Sequence, residues 1–163
     1  DIQKQVLTFD PEQGQPYWMY GVTLAYQLNQ KQQGAEQMRL GMTTKRPYEP
    51  VEVREVLQYV DALQTLEDKE LLKTIPTLVT RIQQPSSNQI AVYLEIARRL
   101  ELSGLLESRD QVLDYTSLIL ETDARAIYAS GGKAQATSTP PAPVVPTTPS
   151  TVTTTATTNG PRR

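Results

Sequence analysis

A segment rich in threonine and proline makes up the last fifth of the chain and limits how much of it can fold. Residues 131–163 contain ten Thr, six Pro and no Asp or Glu. Such a composition offers too few large apolar side chains for a core, so we predict an extended tail. We therefore divide the chain into an N-terminal arm and turn (residues 1–15), a helical bundle domain (residues 16–130) and the Thr/Pro-rich tail (residues 131–163).

Charge is distributed unevenly between the body and the tail. The whole chain carries a net charge of −2, but the tail holds Lys133, Arg162 and Arg163 without any acid, which leaves −5 on residues 1–130. A negatively charged body does not favour binding to a phosphate backbone. No apolar run approaches the roughly 18 residues that a membrane-spanning helix needs. We therefore expect neither a nucleic-acid partner nor a membrane span.

Apolar periodicity predicts a first helix that starts at Pro16, a residue suited to the first turn. Apolar residues follow at helical spacing on more than half of its circumference. The polar, Gln-rich residues 29–37 are predicted to end it, with Gly34 as the stop signal. Residues 39–50, which contain a glycine and two prolines, are predicted to be a connector.

Helix boundary signals recur through the remainder of the body. They are Pro50, Asp68 and Pro76 for the middle of the chain, Ser86 with Gln89 for the next helix, Gly104 for its end, and Ser108 with Gln111 for the helix after it. Residues 124–130 are predicted to form a last helical piece. The predicted fold class is all-α, a small bundle of four to five helices with an extended N-terminal arm and the tail.

The chain contains no His and no Cys. This excludes nucleophilic catalysis on a Ser–His or Cys–His plan and removes the two ligands that zinc sites favour. Glu107, Asp110 and Asp114 are the carboxylates that an acid-catalysed hydrolase would have to use, but their spacing is typical of a solvated helix face. We therefore expect a protein that is not an enzyme, with no cofactor, no metal and no small-molecule substrate.

Aromatic residues of the first helix are the candidate interface in the body. They are Tyr17, Trp18, Tyr20 and Tyr26. Trp and Tyr are enriched at interface hot spots, and one helix can turn only part of its circumference inward. Core packing is the alternative, because a bundle needs large side chains inside.

The tail carries the second group of candidate interface residues. Val144, Val145 and Val152 are β-branched and lie among threonines, so this segment could add as a strand to the exposed sheet edge of a neighbouring subunit. A passive linker is the alternative.

Short motifs in the body resemble the helical N-terminal region of the TraF family of conjugative type IV secretion proteins. The residues that carry the resemblance are Trp18 with Tyr20, Glu49-Pro50, Ala62-Leu63-Gln64-Thr65, Pro85 with Tyr93 eight residues later, and Gly104-Leu105. Members of that family continue into a thioredoxin-like domain, whereas this chain continues into the tail. The resemblance implies a periplasmic, non-enzymatic role in pilus assembly.

These observations lead to an expected function. We expect a structural or assembly subunit of a bacterial envelope or secretion complex, periplasmic or envelope-associated, whose helical body docks on other protein subunits or further copies of itself while the tail serves as a tether. A processed phage virion protein, associated with the capsid or the tail, is the alternative within the same class. A small monomeric adaptor that binds a peptide or a partner helix is the alternative from a different class.

Overall fold

The computed structural model describes residues 14–44 and 49–131, and these are largely helical. The helices in these two ranges are α1 (Gly14–Val22), which continues as a π-helical turn (Thr23–Gln27), α2 (Lys31–Thr44), α3 (Val53–Thr65), α4 (Lys69–Leu72), α5 (Ile75–Val79), α6 (Ile90–Leu102), α7 (Leu106–Ile119) and α8 (Ala124–Ala129). Within the described ranges there is no β-strand, only a parallel bridge between Val51 and Ile82. The all-α prediction is confirmed. The predicted arm, apart from its last two residues, and the tail beyond Gly131 lie outside the described residues.

The helices pack largely in chain order. α1 and α2 form an antiparallel hairpin, α2 packs on α3, and α3 packs on α6. α6 and α7 form a second hairpin, and α7 also contacts α5 and α8. One continuous hydrophobic core runs through these contacts, because each long helix turns one apolar side inward. Its largest fully buried side chains include Trp18, Met38, Leu63, Tyr93, Ile96 and Leu100.

The first helical segment ends just before Asn29, as predicted, but helix α2 shows that Gly34 is not a stop signal and that residues 39–44 are not a connector. The helix runs through Gly34 and Gly41 as far as Thr44, the last residue described before residue 49. Gly34 and Gly41 face α1, where a Cβ on Gly34 would lie 2.6 Å from the Ala25 backbone nitrogen and a Cβ on Gly41 would lie 2.6 Å from that of Trp18. Both glycines therefore allow two helix backbones to touch. They do not turn the chain, which is the more common role of an isolated glycine.

Local capping chemistry confirms several predicted boundaries. The Asp68 carboxylate accepts a hydrogen bond of 3.0 Å from the Leu71 backbone nitrogen at the start of α4. Ser86 and Gln89 form the predicted capping box before α6. Gly104 ends the turn after α6 with a φ of +78°, a left-handed conformation that suits glycine.

The predicted start of α7 at Ser108 was wrong. The helix begins at Leu106, and Ser108 is buried within it and does not cap it. The Leu105 backbone nitrogen donates a hydrogen bond of 2.9 Å to the Leu100 carbonyl, which closes the end of α6. The chain is therefore already turned for a new helix at the next residue, so α7 needs no side-chain cap to begin.

Tyr93 carries the one buried side-chain polar atom without a hydrogen-bond partner among the described residues. Its side chain is 0% exposed, and burial raises the pKa of its hydroxyl to about 12. We expect Tyr93→Phe to raise the free energy of unfolding by about 1 kcal/mol, because it removes an unsatisfied buried hydroxyl and keeps the ring. Urea denaturation measures this change.

A second tyrosine provides the control for this prediction. The Tyr26 hydroxyl donates a hydrogen bond of 3.0 Å to Asp61, so Tyr26→Phe should lower the stability slightly. If Tyr93→Phe destabilised the protein as much as Tyr26→Phe does, the Tyr93 hydroxyl would have a partner after all.

Candidate interaction surfaces

The four aromatic residues of α1 and its π-helical turn differ widely in exposure. Trp18 is 2% exposed and Tyr20 is 7% exposed, Tyr17 is half-buried, and Tyr26 is 51% exposed. Trp18 packs edge-to-face on Tyr59 at a centroid distance of 6.2 Å, so core packing accounts for its indole ring. Tyr26 has the most surface to offer a partner. The tail residues Val144, Val145 and Val152 lie outside the described residues.

The π-helical turn places Tyr26 against α3. The turn is closed by a hydrogen bond of 3.1 Å from the Leu28 backbone nitrogen to the Thr23 carbonyl, and such turns occur frequently at functional sites. The Tyr26 hydroxyl donates to Asp61, and partial burial together with the Asp61 charge raises the pKa of Tyr26. The ring is therefore held in one orientation although half of it is exposed.

A network of charged side chains extends this contact from α3 to α6. Arg99 forms ion pairs with Asp61 at 3.3 Å and with Glu95 at 2.8 Å. Glu95 also pairs with Arg98 at 2.6 Å, and the hydrogen bonds from Arg98 and Arg99 lower the pKa of Glu95 to about 2. The network ties the π-helical turn, α3 and α6 together, so Tyr26 is presented on a fixed support.

A groove of about 650 Å³ lies between α1 and α3. Its lining includes the apolar residues Trp18, Val22 and Val51, together with Met19, Glu49, Glu52, Glu55 and Gln58. Met19 is 47% exposed. Met19 lines this groove together with Gln58 of α3, and Tyr26 contacts Asp61 one turn further along α3, so both exposed side chains lie beside the same helix. We call Met19, Tyr26 and this groove the α1–α3 surface.

Sequence reasoning missed Met19, although its position one residue after Trp18 already placed it on a different side of α1. It also missed a second groove, of about 350 Å³, between α6 and α8. This α6–α8 groove is lined by Ala91, Leu94, Glu95, Arg98, Glu101, Tyr128 and Gly131. No local pattern marks it, because it exists only where two helices meet that are separated by all of α7.

Tyr128 forms one wall of the α6–α8 groove. Its hydroxyl donates a hydrogen bond to Glu101, and burial together with this bond raises the pKa of Tyr128 to about 12. Arg109 of α7 pairs with Glu101 at 2.8 Å from the other side. The Tyr128 hydroxyl is therefore held by Glu101 of α6, and Glu101 is itself held by Arg109 of α7.

The carboxylates considered for a hydrolase lie on the exposed part of α7. Arg125 of α8 holds Asp114 in a two-pronged ion pair and lies 3.8 Å from Asp110. The hydrogen bond from Arg125 lowers the pKa of Asp114. The Glu107 carboxylate accepts a hydrogen bond of 3.4 Å from the Gln111 side chain. The ion pairs of Asp110 and Asp114 with Arg125 thus connect α7 to α8. Such pairs are typical of carboxylates on a solvent-exposed helix face.

The described part of the chain has neither a cluster of metal ligands nor a helix that could span a membrane. No group of three or more Asp or Glu side chains in residues 14–44 and 49–131 could hold a metal ion. None of the helices in these ranges is long and apolar enough to cross a membrane.

Comparisons with known proteins do not show which family this chain belongs to. No protein-family model matches the chain, and neither the curated proteins nor the solved structures contain a match. The resemblance to the TraF family therefore stays a prediction that rests on the residues named for it.

Proposed function

We propose that this chain is a non-enzymatic subunit of a larger protein assembly. Its helical body docks on other subunits through the α1–α3 surface, and the tail serves as a tether. The observation that carries the proposal is the exposure of Met19 and Tyr26, 47% and 51%, beside a groove with apolar surface. Met and Tyr are enriched in protein–protein interfaces.

The rigid support of this surface favours docking. Binding costs free energy when side chains must be ordered at the interface, and a surface that is already ordered avoids part of that cost. Tyr26 is held by Asp61, which is itself paired with Arg99. The opposite side of α1 is fixed by its backbone contact with α2. A partner would therefore meet a surface that needs little rearrangement.

The electrostatics of α7 support a role other than hydrolysis. A general acid needs a raised pKa so that it keeps its proton near neutral pH. The pKa of Asp114 is lowered by Arg125, in the opposite direction. Asp110 shares the same arginine and also pairs with Arg109 at 2.8 Å. Their ion pairs stabilise the contact between α7 and α8 instead.

The resemblance to the TraF family favours one kind of assembly. In it, this chain would be an exported component of a bacterial envelope or secretion complex. A processed virion protein is the alternative in the same class, and a monomeric adaptor is the alternative in another class. The stoichiometry of the purified complex distinguishes a structural subunit from an adaptor. A structural subunit should co-purify in fixed multiples, whereas an adaptor should bind reversibly as a monomer.

Native purification from the source organism, followed by mass spectrometry of the complex, tests the assignment. Recovery with envelope or secretion proteins in fixed multiples is the expected result. Recovery in virus particles would overturn the envelope assignment in favour of the virion protein. Recovery only as a free monomer would overturn the assembly role and favour the adaptor.

The double variant Met19→Ala/Tyr26→Ala tests the docking surface. We expect the dissociation constant for the co-purified partner to rise at least about tenfold, because a few residues, with Tyr enriched among them, supply most of the binding energy of an interface. Quantitative pull-down or surface plasmon resonance with the co-purified partner measures the effect.

Leu118→Ala is the matched control for this experiment. Leu118 is 75% exposed but lies on α7, away from the α1–α3 surface, so its removal should leave the affinity unchanged. Far-UV circular dichroism confirms that both proteins are folded. Equal loss of affinity in the two variants, or none in the double variant, would show that the partner docks elsewhere.

A further inference from the structure

The α6–α8 groove lies where the tail leaves the folded body. Gly131, the last described residue, is itself one of the residues that line the groove. The chain continues for a further 32 residues, to Arg163. The tail therefore begins at the edge of this groove.

The prolines of the tail have a regular spacing. Pro140, Pro143, Pro146 and Pro149 occur at every third position. A polyproline II helix has three residues per turn, so in that conformation all four rings lie on one face. Residues 140–149 thus have the pattern of the proline-rich segments that dock in grooves lined by aromatic side chains.

The groove offers the chemistry that such a segment needs. Ala91, Leu94 and the ring of Tyr128 supply apolar and aromatic surface for proline rings. The backbone carbonyls of a polyproline II helix have no internal partners and need donors. Arg98 has five donor hydrogens on its side chain, its ion pair with Glu95 uses two of them, and its side chain is 51% exposed.

Reach favours an occupant from the same chain. Eight residues, 132–139, separate Gly131 from Pro140 and span up to about 28 Å when extended. A short linker of this kind produces an effective concentration in the millimolar range, so even weak binding would fill the groove.

We propose that residues 140–149 dock as a polyproline II segment in the α6–α8 groove of the same chain. Docking would hold the first half of the tail against the body and leave residues 150–163, including Val152, to reach a neighbour. The proposal does not rest on the α1–α3 surface, which is formed by other residues, so each can fail without the other.

A spin label tests the proposal on the full chain. The protein has no cysteine, so Ser150→Cys gives a single labelling site beside the docked segment. Paramagnetic broadening of the backbone amides of Ala91, Leu94 and Tyr128 is then measured by NMR. We expect strong broadening confined to the groove, at an extent that does not change on dilution.

Three variants distinguish docking from mere proximity of the tethered tail. Replacing Pro140, Pro143, Pro146 and Pro149 with alanine should abolish the groove-specific broadening, whereas Pro141→Ala, which lies off the proline face, should leave it intact. Ala91→Arg fills the groove from an exposed position on α6 and should abolish it as well.

Three results would overturn the proposal. The first is the absence of broadening in the groove of the labelled protein. The second is equal broadening in the fourfold proline variant, which would mean that the tail is only nearby. The third is broadening when spin-labelled chains without ¹⁵N are mixed with ¹⁵N chains without a label, because the occupant would then come from a second copy.

Discussion

Replacing Gly34 with alanine is expected to lower the free energy of unfolding by about 3 kcal/mol. On an exposed helix the same change stabilises by about 1 kcal/mol, because alanine has the higher helix propensity. Here the new Cβ would lie 2.6 Å from the Ala25 backbone nitrogen and 2.7 Å from the Gly21 carbonyl oxygen. Backbone atoms in a helix cannot move aside alone, so α1 and α2 would have to separate. Urea denaturation measures the shift of the midpoint.

Two control variants isolate the cause of that loss. Gln33→Ala changes an exposed neighbour on α2 and should alter stability by less than about 0.5 kcal/mol. Gly104→Ala adds a Cβ where nothing lies within 4 Å, but its φ of +78° is unfavourable for alanine and should cost about 1 kcal/mol. If Gly34→Ala were as stable as the unchanged protein, the backbones of α1 and α2 would not be in contact.

The parts of the fold that sequence reasoning predicted correctly depend on local chemistry. Asp68 caps α4 through a bond to a residue three positions away, and Ser86 caps the start of the α6 region in the same manner. Such signals are complete within one turn of chain. The role of Gly34 is not local, because the same glycine ends an isolated helix or allows close packing, depending on whether another backbone lies against it.

The candidate surfaces were less predictable for a related reason. Trp18 and Tyr26 are both of residue types that are enriched at interfaces. Residue type alone does not show which of the two is buried in the core. The π-helical turn between Thr23 and Gln27 changes the angular spacing of the side chains that follow it, so helical periodicity does not transfer across it. Tyr128 becomes part of a groove only through packing of α8 on α6, which no short pattern encodes.

Trp18→Ala is expected to cost about 4 kcal/mol of stability, the second large effect. The indole is 2% exposed, belongs to the hydrophobic core and packs edge-to-face on Tyr59 of α3, so its removal leaves a cavity between α1 and α3. Far-UV circular dichroism follows the unfolding, because Trp18 is the single tryptophan and fluorescence is lost with it.

A conservative variant, Trp18→Phe, decides between the two roles considered for Trp18. Trp18→Phe keeps an aromatic ring against Tyr59 and should cost clearly less stability than Trp18→Ala, because it leaves a smaller cavity. Trp18 lines the groove but is only 2% exposed, so Trp18→Phe should bind the partner with nearly unchanged affinity. If Trp18→Phe instead kept its stability and lost the partner, the indole would be an interface residue as well as part of the core. The partner would then contact the floor of the groove as well as Met19 and Tyr26.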